Sequence, residues 1–260
     1  MIFQGEIQWI YTVMLVAVRM AILFFATPLD GFGKVPTQIK LWVSVALSVL
    51  VVSTMDVNLI YIPKDVLSFG MMAASELVAG LVMAFGLYAA FGTLMVAGGI
   101  LDYQTGFAAA NIFNPALNTQ NPLLGTVLLM FATMIFFFID GHHMVLRAIV
   151  FSYQMMPIGS GVLDINFSLI VAQFGMMFTF GVVLAGPVIA VLLMLDGGAA
   201  IMARTMPQMN VYFLFLPLKI FVGLTLLASM LAYISPLMNE IFNKTFQFWH
   251  FTFAGLDRGV

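Results

Sequence analysis

Residues 66–100 read VLSFGMMAASELVAGLVMAFGLYAAFGTLMVAGGI, a run of 35 in which Glu76 is the only charge. At 1.5 Å per residue a helix of this length reaches about 50 Å, against a hydrocarbon layer about 30 Å thick. Such a stretch has no face to offer water, and it sets the fold class as a helical membrane protein. A helix this long must tilt, bend or project beyond the bilayer. The rest of the 260 residues has the same character: 63% of the chain is hydrophobic and only 8% charged. A soluble domain needs about 25% charged residues to cover its surface, so a soluble enzyme or binding module is excluded. Nine Lys and Arg against eleven Asp and Glu leave a formal charge of -2, too little positive charge for a nucleic-acid partner. The chain has no cysteine, which removes disulfides, thiolate metal sites and a cysteine nucleophile.

Five further apolar runs accompany the first. Residues 7–27 carry one charge, Arg19. Glu6 precedes that run and no basic residue does, so the positive start of a cleaved signal peptide is missing and the segment is expected to be retained. Residues 41–55 form another run. Residues 123–139 are barely long enough to cross, with room to continue past His142 and His143. Residues 165–195 reach about 46 Å if straight, with Gly186-Pro187 as a place to bend. Residues 211–234 are followed by a mixed tail whose Phe246, Phe248 and Trp249 suit a membrane interface. Six spans place Lys34, Lys40 and Arg204 on one side and Lys64, Arg147, Lys244 and Arg258 on the other, which encodes almost no orientation. Gly80 with Ala84, Gly86 with Ala90 and Thr93 with Ala97 recur four apart, the spacing that lets another backbone approach, within the chain or from another subunit. The 21 methionines suit apolar filler or an adaptable gasket.

Residues 102–122, DYQTGFAAANIFNPALNTQNP, form the longest stretch without a spanning pattern. Its one charge is Asp102. Asn114-Pro115 and Asn121-Pro122 each resemble a helix N-cap followed by proline at the first helical position. Phe107, Ile112 and Phe113 are residues that a solvated connection has little reason to carry. Long loops in compact domains tend to be functional or disordered, and non-helical backbone at membrane depth persists only where protein or a water-filled cavity surrounds it. The composition favours a re-entrant or plugging segment over a plain surface connection.

Charges inside apolar runs are functional candidates, and Arg19, Glu76, Asp196 and Lys219 qualify. Arg19 needs a carboxylate or carbonyl partner; Glu76 suits a helix-packing contact or a proton relay. Enzyme signatures are missing. There is no H-E-x-x-H. His142 and His143 are adjacent and are not expected to share a helix face, which argues against a metal pair. Gly159-Ser160-Gly161 lacks the nucleophile-elbow spacing, and Gly31-Phe32-Gly33-Lys34 is too short for a phosphate loop. No catalytic residue, cofactor or metal is expected.

Arg204-Thr205-Met206-Pro207-Gln208-Met209-Asn210-Val211, leading into Leu216-Pro217-Leu218-Lys219-Ile220, resembles the R-x-x-P-Q-x-N…P-L-K-I signature of the FliR family of flagellar export-gate subunits, whose virulence-system relatives are the SctT proteins. Asp102-Tyr103-Gln104-Thr105-Gly106-Phe107 followed by Asn114-Pro115 is similar to the family's central segment, and the order of apolar runs agrees from end to end. Where the family pattern has a glycine shortly before Pro-Leu-Lys-Ile, this chain has Phe215 or Leu216. The resemblance implies an all-α integral membrane protein of long, partly bent helical hairpins. A FliP-like part covers residues 1–122 and 123–195, and a FliQ-like hairpin with the C-terminal tail covers 196–260. It implies FliP and FliQ as partners in a helical complex, FlhB at the base and unfolded export substrates. The location implied is the bacterial inner membrane at the flagellar basal body, much of the assembly standing on the periplasmic side. The plug and gate would consist of Gly106 as hinge, Phe107, Asn111, Ile112 and Phe113, with Asn114 and Pro115 anchoring the far end. Arg204, Pro207, Gln208, Asn210, Pro217 and Lys219 would form the second half's turn and subunit contacts. Two alternatives stand beside this: a virulence-type export gate, and more distantly a small secondary transporter with Glu76 and Arg19 as a coupling pair.

Overall fold

The computed structural model describes residues 2–26, 35–54, 63, 65–108, 122–159 and 166–254. Every regular element among them is an α-helix: α1 (Ile2–Ala26), α2 (Thr37–Thr54), α3 (Val66–Thr105), α4 (Leu123–Phe138), α5 (Gly141–Met155), α6 (Phe167–Thr205) and α7 (Val211–Ala254). A backbone amide in hydrocarbon finds no water, so the helix, which closes each bond within its own segment, is the element such a sequence can form. Hydroxyls obey the same rule. Ser48 donates to the Ser44 carbonyl at 2.6 Å and Thr133 to that of Leu129 at 2.9 Å, one turn back along their own helices. Among the described residues, five helices are long and apolar enough to cross a membrane, and α4 with α5, bent by 71° at their junction, counts as a sixth if the pair is taken as one span.

Several boundaries differ from the sequence reading. α6 continues beyond residue 195 to Thr205, and α7 beyond residue 234 to Ala254, with Pro217 and Pro236 inside it. At 39 and 44 residues these helices measure about 59 and 66 Å. The run that begins at Leu123 does not pass through His142 and His143 as one helix. It stops at Phe138, Asp140 takes a left-handed backbone (φ 58), and α5 starts at Gly141.

The helices group into two compact units. One comprises Ala90–Ile139 and Phe174–Ile241. Within it α3 and α4 cross with Gly98 against Gly125, so closely that a Cβ on Gly98 would overlap the Gly125 backbone. Phe91 and Phe136 pack edge to face nearby, centroids 5.6 Å apart. α6 lies over the Thr93 carbonyl at Gly181, where a Cβ would come within 3.0 Å of that oxygen.

The other unit comprises Met1–Ala89, Asp140–Gln173 and Phe242–Val260. α1 packs on α2, and α1 meets α3 at Gly80, where a Cβ would lie 2.9 Å from the Arg19 carbonyl oxygen. The small-residue spacing here serves a contact within the chain. Trp249, 1% exposed, and Phe248, 5% exposed, pack beside Gly86 of α3. Phe248 and Trp249 are therefore core residues of this unit rather than part of an interfacial belt, while Phe246 is half-buried.

The approach at Gly80 brings Arg19 to Glu76. Arg19 Nε donates to Glu76 Oε2 at 2.7 Å and Nη1 to Ser152 Oγ at 2.9 Å. The guanidinium lies over the Tyr153 ring, 4.1 Å from its centroid. The two paired side chains are 1% and 0% exposed. Arg19 Nη2 and Glu76 Oε1 have no hydrogen-bond partner among the described residues. Removing one member of a buried pair leaves an uncompensated charge and costs about 3–5 kcal/mol, whereas replacing both with apolar groups is often neutral. Arg19→Met and Glu76→Leu, made singly, are expected to lower the unfolding midpoint in detergent steeply, and the double variant to recover most of it. Thermal unfolding of the four proteins checks this; a double variant as unstable as the singles would contradict it.

Candidate functional site

The polar loop leaves α3 later than residue 102. Asp102, Tyr103, Gln104 and Thr105 form the last turn of α3, and the chain leaves the helix at Gly106. Of the expected gate residues, Gly106 and Phe107 are described, and Phe107 is half-buried; Asn111, Ile112, Phe113, Asn114 and Pro115 lie outside the described residues.

The last turn of α3 is tied down on several sides. Asp102 Oδ1 accepts the Leu124 N–H at 3.1 Å, across 22 residues of sequence. Pro122 is the N-cap of α4, at φ -60 and ψ 135, and not its first helical residue as the Asn-Pro pattern suggests. A proline has no side-chain oxygen for the first amides of a helix, and Asp102 supplies that acceptor from α3, its charge also suiting the positive end of the helix dipole. Gln104 Nε2 donates to Asp196 Oδ2 at 3.4 Å, while Lys219 Nζ lies 2.5 Å from Asp196 Oδ1. Thr105 fills the space left by Gly223 of α7, where a Cβ would come 2.5 Å from Thr105 Cγ2. Gly106 has φ +90, a backbone that glycine adopts without steric cost, and its bare Cα faces the side chain of Leu216. One helical turn thus touches α4, α6 and α7 immediately before the chain enters the loop.

Arg204, Pro207, Gln208 and Asn210 are all exposed at the turn joining α6 to α7. The Met206 and Asn210 carbonyls accept the N–H groups of Met209 and Phe213, each at 3.2 Å. Pro217 lies exposed near the start of α7, and Lys219, one residue further than Leu218, turns into the contact with Asp196. The two sequence segments that carry the family resemblance, around Gln104 and around Lys219, therefore meet through Asp196.

Residues 10–245 match the family described as bacterial export proteins, family 1. The chain belongs to that family. It is 29% identical to the flagellar biosynthetic protein FliR of Bacillus subtilis (strain 168) over 240 residues, 90% of this chain and 91% of that one. With FliR of Escherichia coli (strain K12) it shares 26% identity over 243 residues, 92% of each chain. Yop proteins translocation protein T of Yersinia pestis is 30% identical over 162 residues, 61% of this chain and 62% of the other. The family match takes in the whole loop root, from Asp102 to Gly223.

Within this export protein, Arg19 of α1 and Glu76 of α3 belong to the unit that holds Met1–Ala89 and take no part in the loop root; they pair with each other as set out above. Sequence reasoning marked Asp196 and Lys219 as charges without pairing them. The signal was there: Asp196 is nine residues before the end of α6 at Thr205, and Lys219 is eight after the start of α7 at Val211, so an antiparallel hairpin sets them opposite. Gln104 and Gly223 carried no such mark, because their partners lie on helices far away in sequence. Lys219 is 17% and Asp196 43% exposed, and a partly solvated pair of this kind couples by about 0.5–1 kcal/mol. A double-mutant cycle with Asp196→Asn and Lys219→Met, read by thermal unfolding, is expected to return a coupling of that size; additive losses would contradict the contact.

Proposed function

We propose that this chain is the loop-bearing subunit of a flagellar type III export gate, and that its loop closes the channel through which unfolded flagellar proteins cross the inner membrane. Family membership and the FliR relatives support the export-gate role. The observation that carries the gating step is the loop root: a turn held by Asp102, Gln104 and Thr105, followed at once by Gly106 with φ +90. A fixed root followed by a permissive hinge lets a segment take two positions while its anchor stays in place. Phe107, Ile112 and Phe113 would seal the closed position against ions, Asn111 would belong to the same plug, and Asn114-Pro115 would hold the far end. An extended substrate displaces the segment, and its differential affinity for the open state sets how far the equilibrium moves.

The partners that fit are FliP and FliQ in one helical complex, with FlhB at its base. The division into a FliP-like part, residues 1–122 and 123–195, and a FliQ-like part, 196–260, falls at the Asp196–Lys219 contact, inside α6. Phe213, Phe221 and Met194 are 68%, 70% and 77% exposed. Apolar exposure of that extent asks for lipid or neighbouring subunits, and Arg204, Gln208 and Asn210 suit polar contacts at its edge. Much of the complex would stand on the periplasmic side. The translocation protein T relative marks the virulence systems as a related branch of the same chemistry. The buried packing of Arg19 with its three partners Glu76, Ser152 and Tyr153 supports a structural pair over a transporter's coupling pair. Replacing Phe107 and Phe113 with glycine, or shortening the loop, is expected to raise ion conductance through the reconstituted complex several-fold. Conductance equal to that of the unmodified complex in planar-bilayer recordings would remove the plug role.

A further inference from the structure

The segment Asp140-Gly141-His142-His143 opens α5. Consecutive residues on a regular helix project about 100° apart, which is why the two histidines were not expected to act together. They do come together: their ring centroids are 4.2 Å apart with the planes at 40°. The ligand atoms of Asp140, His142 and His143 all lie within 4.8 Å of one another. We propose that these three residues bind a divalent transition-metal ion, of the class that includes Zn2+ and Co2+.

Asp140 brings the third group to the pair. It occupies the N-cap of α5, where an Asp commonly has extended backbone and accepts a bond from the first turn. Here its backbone is left-handed, φ 58 and ψ 31, and its side chain makes no capping bond. Its carbonyl accepts the N–H groups of His143 at 3.0 Å and Met144 at 3.3 Å, which fixes the turn. The carboxylate points elsewhere: Oδ1 stands 3.7 Å from His143 Nδ1. That separation is too long for a hydrogen bond. It is close to the edge between two ligand atoms around a tetrahedral ion with bonds of about 2.1 Å, which is about 3.4 Å. Small side-chain movements therefore close the site without moving the backbone.

The donor set selects the ion. Two imidazoles with one carboxylate suit zinc, cobalt, nickel or copper, whereas calcium and magnesium take oxygen ligands. Three protein ligands leave a tetrahedral position open for water or a further group. The Asp140 and His143 side chains are 71% and 61% exposed, so an ion has access. The carboxylate also offsets the positive end of the α5 dipole, which alone would repel a cation. A bound ion would fasten the residue that breaks the helix to the first turn of α5.

The test uses the full chain in detergent, prepared without a polyhistidine tag and titrated with CoCl2 and with ZnCl2. Calorimetry is expected to show one saturable site per chain in the micromolar range or tighter, with the visible spectrum of tetrahedral Co2+. His143→Gln and Asp140→Asn should each weaken binding at least tenfold. His250→Gln, which removes the chain's only other histidine, should leave it unchanged. No saturable binding to the unmodified chain, or binding that survives both His143→Gln and Asp140→Asn, would overturn the proposal.

Discussion

A charge inside an apolar protein is stable only where its partner is already in place, and in this chain three such meetings fix where helices cross. Arg19 binds Glu76 and joins α1 to α3. Asp102 accepts the Leu124 N–H and joins α3 to α4. Asp196 receives Lys219 and Gln104 and joins α6 to α7 and to α3. Such contacts strengthen as the surroundings lose water, and an unmet partner costs more there for the same reason. Close backbone approaches do the rest: Gly80 lets α3 reach the Arg19 carbonyl, and Gly98 lies directly on Gly125. Five of the charges, Arg19, Glu76, Asp102, Asp196 and Lys219, thus mark where helices meet.

For the proposed gate, the consequence would be a segment with a fixed beginning. The last turn of α3 contacts three other helices, and the next residue, Gly106, has the backbone freedom to turn. A gate needs this combination, since a segment that moves must do so against something that does not. The same contacts use residues of both sequence segments that resemble the export family, Gln104 on one side and Lys219 on the other. Their pairing through Asp196 gives a physical reason for those residue types at those positions.

The fold class was legible from composition alone, because runs such as 66–100 admit no soluble alternative. Arg19's need for a carboxylate or carbonyl partner was legible too, and Glu76 meets it. The start of the loop was misread because Asp102 and Gln104 are polar; that polarity serves the amides of α4 and the Asp196 carboxylate rather than solvent. Phe248 and Trp249 were misread as interfacial because aromatic clusters near a chain end often are, while here Gly86 opens a core position for the indole. The histidine pair was dismissed on the spacing of adjacent helical residues, yet the two rings stand 4.2 Å apart in the first turn of α5. Asn111 to Pro115 lie outside the described residues, so their part in the gate rests on their residue types and the family likeness.

The most direct measurement is co-expression of this chain with FliP and FliQ, extraction in mild detergent and native mass spectrometry. A gate subunit is expected in one stable complex that contains both partners. A well-behaved particle holding this chain alone, with no affinity for either, would contradict the gate assignment.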